Sequence, residues 1–377
     1  MPSSELYIGL ISGTSADAID AALVDFESGT PRLLAHHSEP LDVSTKAVIH
    51  QLAQPGPDEI DQLGDLDHKL GVAFAQAANQ LMEKAGLSAR DIAAIGSHGQ
   101  TLRHRPPGNG KTEPFTLQVA DPNLIAHHTG ITTVADFRRR DMAAGGHGAP
   151  LVPALHHALF HNDGIDRAVI NIGGVANVTW LPASDATTGF DTGPGNNLMD
   201  AWVQRTQGKA FDADGQWAAS GTPNDSLLEI FLTHPFFRLT PPKSTGPEEF
   251  HLAWLDECLL QLDETLRPED VQATLLSLTA RTIVDSLVPL LAQNGECEVY
   301  LCGGGAHNSQ LREALSALLP GTSVGQTDSL GLPADWVEAV AFAWMAKQTL
   351  SGLSSNLPAV TGASAPQILG GIYPAQR

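Results

Sequence analysis

The segment "GFDTGPGNNLMD", residues 189–200, places one carboxylate, Asp191, between a Gly-Phe pair and a Gly-Pro-Gly run. A carboxylate held rigidly at the edge of a cleft can take a proton from an attacking water or hydroxyl group. Aspartate is also common at turns and at helix N-termini, where it only stabilises the chain. Taken alone, the pattern fits a structural cap and a catalytic base equally well.

Glu338 is the second carboxylate with unusual surroundings. It lies in "DWVEAVAFAWMAKQTL", where nearly every neighbour is apolar, so we expect a helix that is buried on most sides. A carboxylate in such a helix is costly unless it is paired or functional. Glu338 is therefore a candidate site residue.

The stretch "SGTSADAID", residues 12–20, could bind an anion. Gly13 allows close approach of the backbone, and Thr14 and Ser15 add hydroxyl groups to the backbone N–H donors. Asp17 would repel a phosphate there unless a divalent cation or a water molecule lies between them. An ordinary hairpin loop explains the same residues about equally well.

Glycine-rich turns are predicted at two later places in the chain. "RAVINIGGVANVTWLP", residues 167–182, reads as strand, glycine turn and strand, and "CEVYLCGGGAHNSQLREAL", residues 297–315, reads as strand, three glycines and a helix capped at Asn308. Three consecutive glycines permit a flat approach of the backbone to a planar base or ribose. A generous turn is the alternative for the second of these stretches.

The sequence does not contain a P-loop. "GNGKT", residues 108–112, matches the end of that motif, but its first glycine would have to stand at position 105, which is Arg105. Prolines precede the segment and Glu-Pro follows it, so a helix is not expected. A strand, not a helix, also follows both Gly13 and Gly174, which points away from P-loop and Rossmann proteins and toward two phosphate-binding hairpins, one in each domain.

Among the other polar residues, His98 and the arginine run at 138–140 are the best placed. His98 lies in "GSHGQT", just after a short predicted strand, and Arg138 could fix an anionic substrate group or belong to a solvated loop. The adjacent histidine pairs at 36–37, 127–128 and 156–157 lack the spacing of a shared metal site.

Alternating strand-like and helix-like segments indicate an α/β protein. Strands are predicted at 6–11, 19–26 and 92–99 and at "FTLQVAD", with a helix over 60–86 that ends on a glycine and another beginning near Pro122. The composition becomes glycine-rich after residue 135, and we therefore predict two domains, 1–135 and 136–377. The small-residue stretch 351–365 is predicted to be a surface loop.

Composition narrows the class of partner. The formal net charge of −21 over 377 residues argues against nucleic acid as a partner. The N-terminus does not resemble a signal peptide, and we expect no apolar stretch to approach the length of a membrane helix. The three cysteines carry no metal-like spacing and indicate reduced thiols in a cytoplasmic protein.

Together and in this order, several segments resemble the anhydro-N-acetylmuramic acid kinase family, which belongs to the hexokinase/actin-like superfamily. The resemblance covers essentially the whole chain and is carried by "GLISGTSADAIDAAL", "GSHGQT", "VADFRRRDMAAGGHGAPLVP", "INIGGVANVT", "GFDTGPGNNLMD", "YLCGGGAHN" and "EAVAFAWMA". It implies two actin/hexokinase-like α/β domains with ribonuclease H-like sheets, flanking a cleft for nucleotide and sugar. It also implies a homodimer that uses ATP and Mg²⁺, and a role in peptidoglycan recycling and amino-sugar catabolism.

The resemblance further implies an activity: ATP and one water convert 1,6-anhydro-N-acetylmuramic acid to N-acetylmuramic acid 6-phosphate. Asp191 would be the catalytic base, and Glu338 would assist at the sugar. The other implied substrate contacts are His98, Gln100 and Arg138, and Asp17 would hold the metal through water. The implied nucleotide-binding residues are Gly13, Thr14, Ser15, Ala16, Asp17, Ala18, Ile19, Asp20, Gly173, Gly174, Asn177, Gly303, Gly304 and Gly305.

The first loop departs from the family pattern at one position. Where the family usually has Asp-Gly, this chain has Asp17-Ala18. A positive φ is costly for alanine, so we predict a negative φ at Ala18.

Two other functions fit parts of the pattern. A kinase for another anhydrosugar, such as levoglucosan, would not need to recognise a lactyl carboxylate or an N-acetyl group. An actin-like ATPase would not need a carboxylate placed for sugar activation. The arginine run and the glycine-rich loop 143–148 favour the muramic acid substrate.

Overall fold

The computed structural model describes residues 5–13, 15–107, 113–246, 249–291 and 297–376. The chain forms two compact units, Met1–Leu155 with Trp336–Arg377 and His156–Asp335. The sequence-based division after residue 135 differs from this, because 136–155 and the C-terminal segment pack with the first unit. Thr14 and the segment 108–112 lie outside the described residues.

The first unit combines one mixed sheet with helices from both ends of the chain. Its strands are β1 (Leu6–Ser12), β2 (Ala18–Asp25), β3 (Arg32–Pro40), β4 (Ala94–Arg105), β5 (Phe115–Val119), β6 (Thr133–Ala135) and β12 (Gly371–Tyr373). Its helices are α1 (Val43–Leu52), α2 (Glu59–Ala85), α3 (Pro122–Thr129), α4 (Phe137–Ala143), α12 (Val337–Leu350) and α13 (Pro358–Thr361). Helix α5 (Pro153–Phe160) spans the boundary between the units.

The strand order in this sheet is β12-β6-β4-β1-β2-β3, with β5 paired to β4. Strands β1, β2 and β3 form an antiparallel meander, and β4 lies parallel to β1 on its other side. The connection that contains "GNGKT" therefore joins the antiparallel strands β4 and β5. A P-loop is followed by a helix, whereas the described chain continues here as β5; residues 108–112 themselves lie outside the described residues, so the rejection of a P-loop stays a prediction.

Different helices contact the strands of this sheet. Leu70 and Phe74 of α2 belong to a buried cluster that also holds Ile8, Leu10 and Ile95 of β1 and β4. Helix α12 approaches the same two strands so closely that only glycine fits at Gly9 and Gly96. A Cβ at Gly9 would lie 1.8 Å from the carbonyl oxygen of Ala339, and one at Gly96 would lie 1.9 Å from that of Phe342. The C-terminal helix is thus an integral part of the first unit.

The second unit is built from a continuous stretch of chain. Its strands are β7 (Asp166–Ile172), β8 (Val175–Leu181), β9 (Thr188–Pro194), β10 (Cys297–Cys302) and β11 (Ser323–Gln326). Its helices are α6 (Asn197–Gln207), α7 (Gln216–Ser220), α8 (Asp225–Leu232), α9 (Leu252–Leu259), α10 (Pro268–Leu291) and α11 (Ser309–Leu318).

Both units share one strand topology. The second sheet runs β11-β10-β7-β8-β9, with β7, β8 and β9 as an antiparallel meander and β10 parallel to β7. If β5, which pairs only with β4, is left out of the count, the first five strands of each unit follow the order 3-2-1-4-5 in both sheets. The prediction of an α/β protein with two similarly built sheets is confirmed, although the two halves have no convincing repeat of their letters.

Helix α10 contradicts the expectation that no apolar stretch approaches the length of a membrane helix. Within the described part of the chain, it is the one helix long and apolar enough to cross a membrane by length and composition, and more than half of its apolar window is buried inside the structure. The buried core helix of a soluble protein meets the same criteria, so this feature is weak evidence for a membrane segment.

The segment 351–365 is a surface loop only in part: residues 351–354 are exposed, but the short helix α13 and several buried side chains follow. The carboxylate of Asp141, fully buried, accepts hydrogen bonds from Asn356 Nδ2 at 2.6 Å and Thr361 Oγ1 at 2.7 Å. Its other oxygen accepts from the backbone N–H of Gly148 at 2.8 Å. One buried carboxylate therefore ties the C-terminal segment to the glycine-rich loop 143–148.

Candidate functional site

The first glycine turn connects β1 to β2. The backbone N–H of Ala16 donates to the carbonyl oxygen of Gly13 at 3.0 Å, which closes the turn. Ala18 begins β2 and has no positive φ, so that prediction is confirmed. The left-handed residue is instead Ala16, whose φ is 52°. An alanine in this region costs about 1–2 kcal/mol, so the surrounding structure must hold the turn in place.

Asp17 lies on the exposed side of this turn. Its carboxylate forms an ion pair with Lys46, and its side chain is 65% exposed. Partial burial raises the pKa of Asp17, but hydrogen bonds from Lys46 and Ser15 outweigh this and lower it below its usual value. Asp17 is therefore an ionised, reachable carboxylate. Ile19 is buried in the core, and Asp20 accepts a hydrogen bond from Ser38 Oγ at 2.8 Å.

Gln100 links the first glycine turn to β4. Its Nε2 donates to the carbonyl oxygens of Gly13 at 3.2 Å and of Thr101 at 3.1 Å, while its buried Oε1 has no hydrogen-bond partner. The buried hydroxyl groups of Ser12 and Ser97 on β1 and β4 also lack partners. Buried polar atoms usually have partners, so each of these three groups could hydrogen-bond to a water molecule or a ligand atom.

His98 and Arg138 form a direct contact. Arg138 Nε donates to His98 Nε2 at 2.9 Å, so the other ring nitrogen, Nδ1, carries the proton and donates to the carbonyl oxygen of Gly99 at 3.0 Å. Burial, and then the positive charge of Arg138, hold the pKa of His98 well below its usual value. Arg138 also donates to the carbonyl oxygen of Gly148 at 2.7 Å. The histidine is therefore neutral, and the arginine has a fixed direction.

Glu338 belongs to the same unit, in the first turn of α12. Burial raises its pKa above the usual value, the charge of Arg138 lowers it, and Asp20 raises it further; the net shift is upward. Asp20, Arg138 and Glu338 are thus electrically coupled. A carboxylate with a raised pKa is the kind of group that can exchange a proton near neutral pH.

In the second unit, the turn between β7 and β8 contains Gly173 and Gly174. Their carbonyl oxygens accept backbone N–H groups from the residues that follow β9: Gly195 N donates to Gly174 O at 2.9 Å, and Asn196 N donates to Gly173 O at 2.8 Å. The second glycine turn is therefore attached to the start of α6. Asn177 lies on β8, opposite Asp191 in the register of β8 and β9.

The third glycine turn lies beside the second. Gly303 has a φ of 77°, and a Cβ there would lie 2.5 Å from Asn171 Oδ1 of β7. A Cβ at Gly305 would lie 2.3 Å from the side chain of Ile172, whereas Gly304 has open space around it. The predicted cap of α11 is confirmed, because Asn308 Oδ1 accepts from Leu311 N at 3.0 Å. Two of the three predicted glycine turns thus meet at the ends of the parallel strands β7 and β10.

Asp191 is a strand residue in the middle of β9, and this excludes the helix-cap alternative. Its side chain is 9% exposed, its Oδ2 accepts from the backbone N–H of Thr245 at 2.9 Å, and its own N–H donates to the carbonyl oxygen of Lys243 at 3.1 Å. The following Pro194 ends the strand, and α6 begins only at Asn197. The carboxylate is therefore held rigidly from both its backbone and its side chain.

Sequence reasoning missed Lys243 and Thr245. Both lie in "PPKSTGPEE", where the lysine directly follows two prolines and has no acidic residue beside it. An isolated lysine after two prolines is the only sequence signal for a buried ammonium group here. The structure joins this residue to Asp191 through the hydrogen bond from Asp191 N to Lys243 O.

The described residues contain no group of three or more histidine, cysteine or acidic side chains arranged to hold a metal ion. A cation bound by the described residues would therefore have at most two of these side chains as ligands, and a bound molecule and water would supply the others. This donor set suits Mg²⁺, which usually keeps several waters and binds through one or two carboxylates and substrate phosphates.

These features define a class: an α/β protein with two sheets of one topology, each opened by a glycine-turn hairpin, and a fixed carboxylate on the third strand of the second sheet. A family model described as anhydro-N-acetylmuramic acid kinase matches residues 5–375. The chain belongs to this family, and it is therefore a kinase.

Individual relatives agree over almost the full length. An anhydro-N-acetylmuramic acid kinase of Shewanella halifaxensis is 50% identical over 374 residues, covering 99% of this chain and 100% of the relative. One of Saccharophagus degradans is 51% identical over 368 residues and covers 98% of each chain.

Solved structures show more distant similarity. A Clostridium difficile activator of 2-hydroxyisocaproyl-CoA dehydratase with bound ADPNP has a TM-score of 0.45 at 14% identity, covering 92% of this chain and 98% of that one. A glucokinase of the ROK family from Streptomyces griseus, in complex with glucose and AMPPNP, has a TM-score of 0.38 at 16% identity, covering 90% and 99%.

Proposed function

We propose that the chain is an ATP-dependent sugar kinase that opens 1,6-anhydro-N-acetylmuramic acid with one water molecule and phosphorylates its 6-oxygen. The product would be N-acetylmuramic acid 6-phosphate. Membership of the kinase family supports the reaction class. The observation that carries the proposal is the fixed carboxylate of Asp191, because opening the anhydro bridge requires a base for the attacking water.

The bonds that change form a balanced sequence. The oxygen of water bonds to the anomeric carbon while Asp191 takes one of its protons, and the bond from that carbon to the bridging 6-oxygen breaks. The released 6-oxygen attacks the γ-phosphorus of ATP, and ADP leaves. The proton on Asp191 then passes to solvent. Asp191 can act as a base because the backbone N–H of Thr245 orients its carboxylate, while its own backbone N–H is held by the carbonyl oxygen of Lys243.

The glycine turns are proposed to bind the nucleotide. Gly13 to Asp20 and Gly173, Gly174 and Asn177 would contact the phosphates, and Gly303 to Gly305 would lie beside the nucleoside. Asp17 would hold Mg²⁺ through water, since its carboxylate is exposed and ionised. When bound, Mg²⁺ would neutralise charge on the phosphates during transfer.

On the sugar, Glu338 is proposed to orient the water or a hydroxyl group, with His98, Gln100 and Arg138 as further contacts. The fixed direction of Arg138 and the unpartnered Oε1 of Gln100 support these roles. A guanidinium group that is already oriented loses little freedom when it binds an anionic group such as a carboxylate.

The biological setting follows from the substrate. Anhydro-N-acetylmuramic acid derives from peptidoglycan, so the reaction would serve its recycling and amino-sugar catabolism in the cytoplasm, where ATP is available. A homodimer stays a prediction, and sedimentation velocity of the purified chain would test it, since a single species of monomer mass would contradict it.

The substrate can be tested directly. The protein is incubated with ATP, Mg²⁺ and either anhydro-N-acetylmuramic acid or levoglucosan, and the sugar product is identified by mass. We expect only the muramic acid derivative to gain both a phosphate and a water. Turnover of levoglucosan alone would make the chain a kinase for another anhydrosugar, and ATP hydrolysis without a change in either sugar would overturn the proposal.

The role of Asp191 has its own test. Asp191→Asn should bind ATP almost as the native protein does, yet lose turnover by about 100- to 10,000-fold, because a general base contributes roughly that much. Calorimetric titration with a non-hydrolysable ATP analogue checks the binding. Substantial residual turnover would move the role of base to Glu338.

A further inference from the structure

Lys243 is a buried lysine that the reaction as described above does not use. The residue is 9% exposed, although it carries a long charged side chain. Lysine is seldom buried without a partner, because removing an ammonium group from water is costly. Something in its surroundings must therefore compensate for the loss of solvent.

Aromatic rings supply part of the compensation. The Nζ of Lys243 lies 4.7 Å from the ring centre of Phe236 and 5.8 Å from that of Phe190. Contact of an ammonium group with aromatic faces contributes roughly 0.5–2 kcal/mol. Phe190 directly precedes Asp191 in β9, so the lysine lies over the strand that carries the carboxylate.

The negative charge of Asp191 also acts on this lysine. Burial lowers the pKa of Lys243, and the charge of Asp191 works in the opposite direction. The same segment also binds Asp191 through its backbone, because Lys243 O accepts from Asp191 N and Thr245 N donates to Asp191 Oδ2. Strand β9 lies at the edge of its sheet, so residues 243–245 cover backbone that β8 does not pair with.

We propose that Lys243 is a positioning residue for Asp191: the backbone of residues 243–245 holds the carboxylate in place for proton abstraction, and the buried ammonium group of Lys243 supplies a nearby positive charge. This inference rests on the proposed role of Asp191 as the base. In this proposal "PPKST" has two effects on Asp191. Its backbone contacts orient the carboxylate, and the positive charge of Lys243 favours the ionised form of that carboxylate.

Other charged groups lie on the elements near β9 and on the segment that follows Thr245, where the charge of Glu249 acts on His234. Asp191 is the one titratable residue within β8 and β9. On α10, Arg281 and Asp285 form an ion pair with each other at 2.8 Å. His234 and Arg238 flank the short turn at Pro235–Phe237 that carries Phe236, and burial lowers the pKa of His234. Lys243 is the cationic group whose pKa responds to Asp191, so removing its charge is expected to change the pH dependence of Asp191.

The test compares Lys243→Met and Lys243→Gln with Lys243→Arg, and uses Lys209→Met, an exposed lysine of the same unit, as the matched control. Native kcat is expected to fall at acidic pH as Asp191 becomes protonated. Removing the lysine charge should move this acid limb to higher pH by about one unit or more, because an opposite charge nearby lowers a carboxyl pKa by 1–3 units. At the pH of the native midpoint, kcat should fall roughly fivefold or more, with KM for the sugar nearly unchanged.

The charge-preserving Lys243→Arg and the control Lys209→Met should keep the native profile. A merely structural role for Lys243 would lower kcat equally at all pH values, and that result would overturn the inference. Lys243→Met and Lys243→Gln both remove the charge at position 243, so the test can proceed if one of them does not fold. Circular dichroism checks the fold of each variant.

A direct titration separates this inference from the proposed reaction. The Asp191 carboxyl carbon is followed by carbon NMR against pH in native protein and in the neutral variants, with Asp191→Asn identifying the signal. An unchanged midpoint overturns the inference. A midpoint that moves upward while Asp191→Asn keeps its turnover supports the electrostatic pairing and refutes the role of Asp191 as base.

Discussion

At the scale of single residues, Glu338 combines burial with a mixed electrostatic environment. Arg138 favours its ionised form, while burial and Asp20 favour its protonated form and prevail. Because a raised pKa means that the folded protein prefers the protonated acid, the ionised group destabilises the fold at neutral pH. This cost disappears below the pKa of the unfolded chain, where both states are protonated, and it grows as pH rises toward the folded-state pKa.

Glu338→Gln should therefore stabilise the protein at pH 7 and leave it nearly unchanged at pH 4. Each unit of raised pKa corresponds to about 1.4 kcal/mol of unfolding free energy. Urea unfolding at both pH values measures the difference, and Glu229→Gln, an exposed glutamate on α8, provides the control and should change stability by less than about 0.5 kcal/mol. A gain of equal size at pH 4 and pH 7 would contradict the expected titration.

Residue identities predicted some of the local geometry and missed some. The negative φ of Ala18 followed from the steric cost of alanine in left-handed backbone, but the same reasoning gave no reason to expect that conformation at Ala16. At Ala16, tertiary packing determines the backbone conformation, because this residue is fully buried. The partners of Asp191 at residues 243–245 are more than fifty positions away in sequence, and no local pattern connects them.

At the scale of elements, the close packing of α12 depends on two glycines. Gly9 and Gly96 leave the space that the carbonyl groups of Ala339 and Phe342 occupy. Backbone atoms cannot rotate away as a flexible side chain can, so an added methyl group must push the helix off the sheet.

Gly9→Ala should destabilise the protein by about 3 kcal/mol or more. The matched control is Gly64→Ala, on the exposed side of α2, where an added Cβ meets nothing within 4 Å and φ is not positive. That change should stabilise the protein by about 0.5–1 kcal/mol, because alanine is the better helix former. Thermal unfolding of both variants tests the pair, and similar melting temperatures would contradict the contact.

The carboxylate of Asp141 joins elements that are distant in sequence. Its three donors are Gly148 N, Asn356 Nδ2 and Thr361 Oγ1. Asp141→Asn would present an amide N–H₂ to at least one of these donors, and a buried donor would then lack an acceptor.

Asp141→Asn should lower the free energy of unfolding by roughly 2–4 kcal/mol. Hydrogen exchange should also show faster exchange at Gly148 N–H than in the native protein. The exposed Asp185→Asn serves as control and should leave both quantities unchanged. Native-like protection of Gly148 in Asp141→Asn would show that the loop does not depend on this carboxylate.

Helices and strands with a clear hydrophobic periodicity could be predicted from the sequence. Those that depend on pairing or packing with distant residues could not. Helix α2 was predicted from its periodicity and its terminal glycine, and the structure has it at Glu59–Ala85 with Gly86 in left-handed conformation. Strand β9 was missed, because Gly189, Gly193 and Pro194 are poor strand formers, and pairing with β8 outweighs that preference. Likewise, the small residues of segment 351–365 gave no indication in the sequence of its buried contacts.

At the scale of the whole molecule, composition and alternation predicted two similarly built α/β sheets, and the common order 3-2-1-4-5 shows them. The boundaries could not be predicted in the same way. Residues 336–377 return to the first unit, and only the contacts of α12 and β12 reveal this.

Removing residues 336–377 should therefore unfold the first unit, since it loses the helix that contacts Gly9 and Gly96 and the strand paired with β6. A fragment of residues 156–335 contains every strand of the second sheet and should unfold cooperatively by itself. Circular dichroism and urea unfolding of the two truncated chains measure this. A cooperative transition from residues 1–155 alone would contradict the dependence on α12.

The return of the chain to its first sheet also sets an order of events on the ribosome. Domains usually fold from the N-terminus onward as they are synthesised. Here β1 to β6 emerge first but lack α12 until the last segment has been translated, whereas all strands of the second unit are complete earlier. The unit that is encoded in the middle should thus reach its native state first, and the N-terminal sheet should wait, with the apolar surface around Gly9 and Gly96 as the natural target of a chaperone.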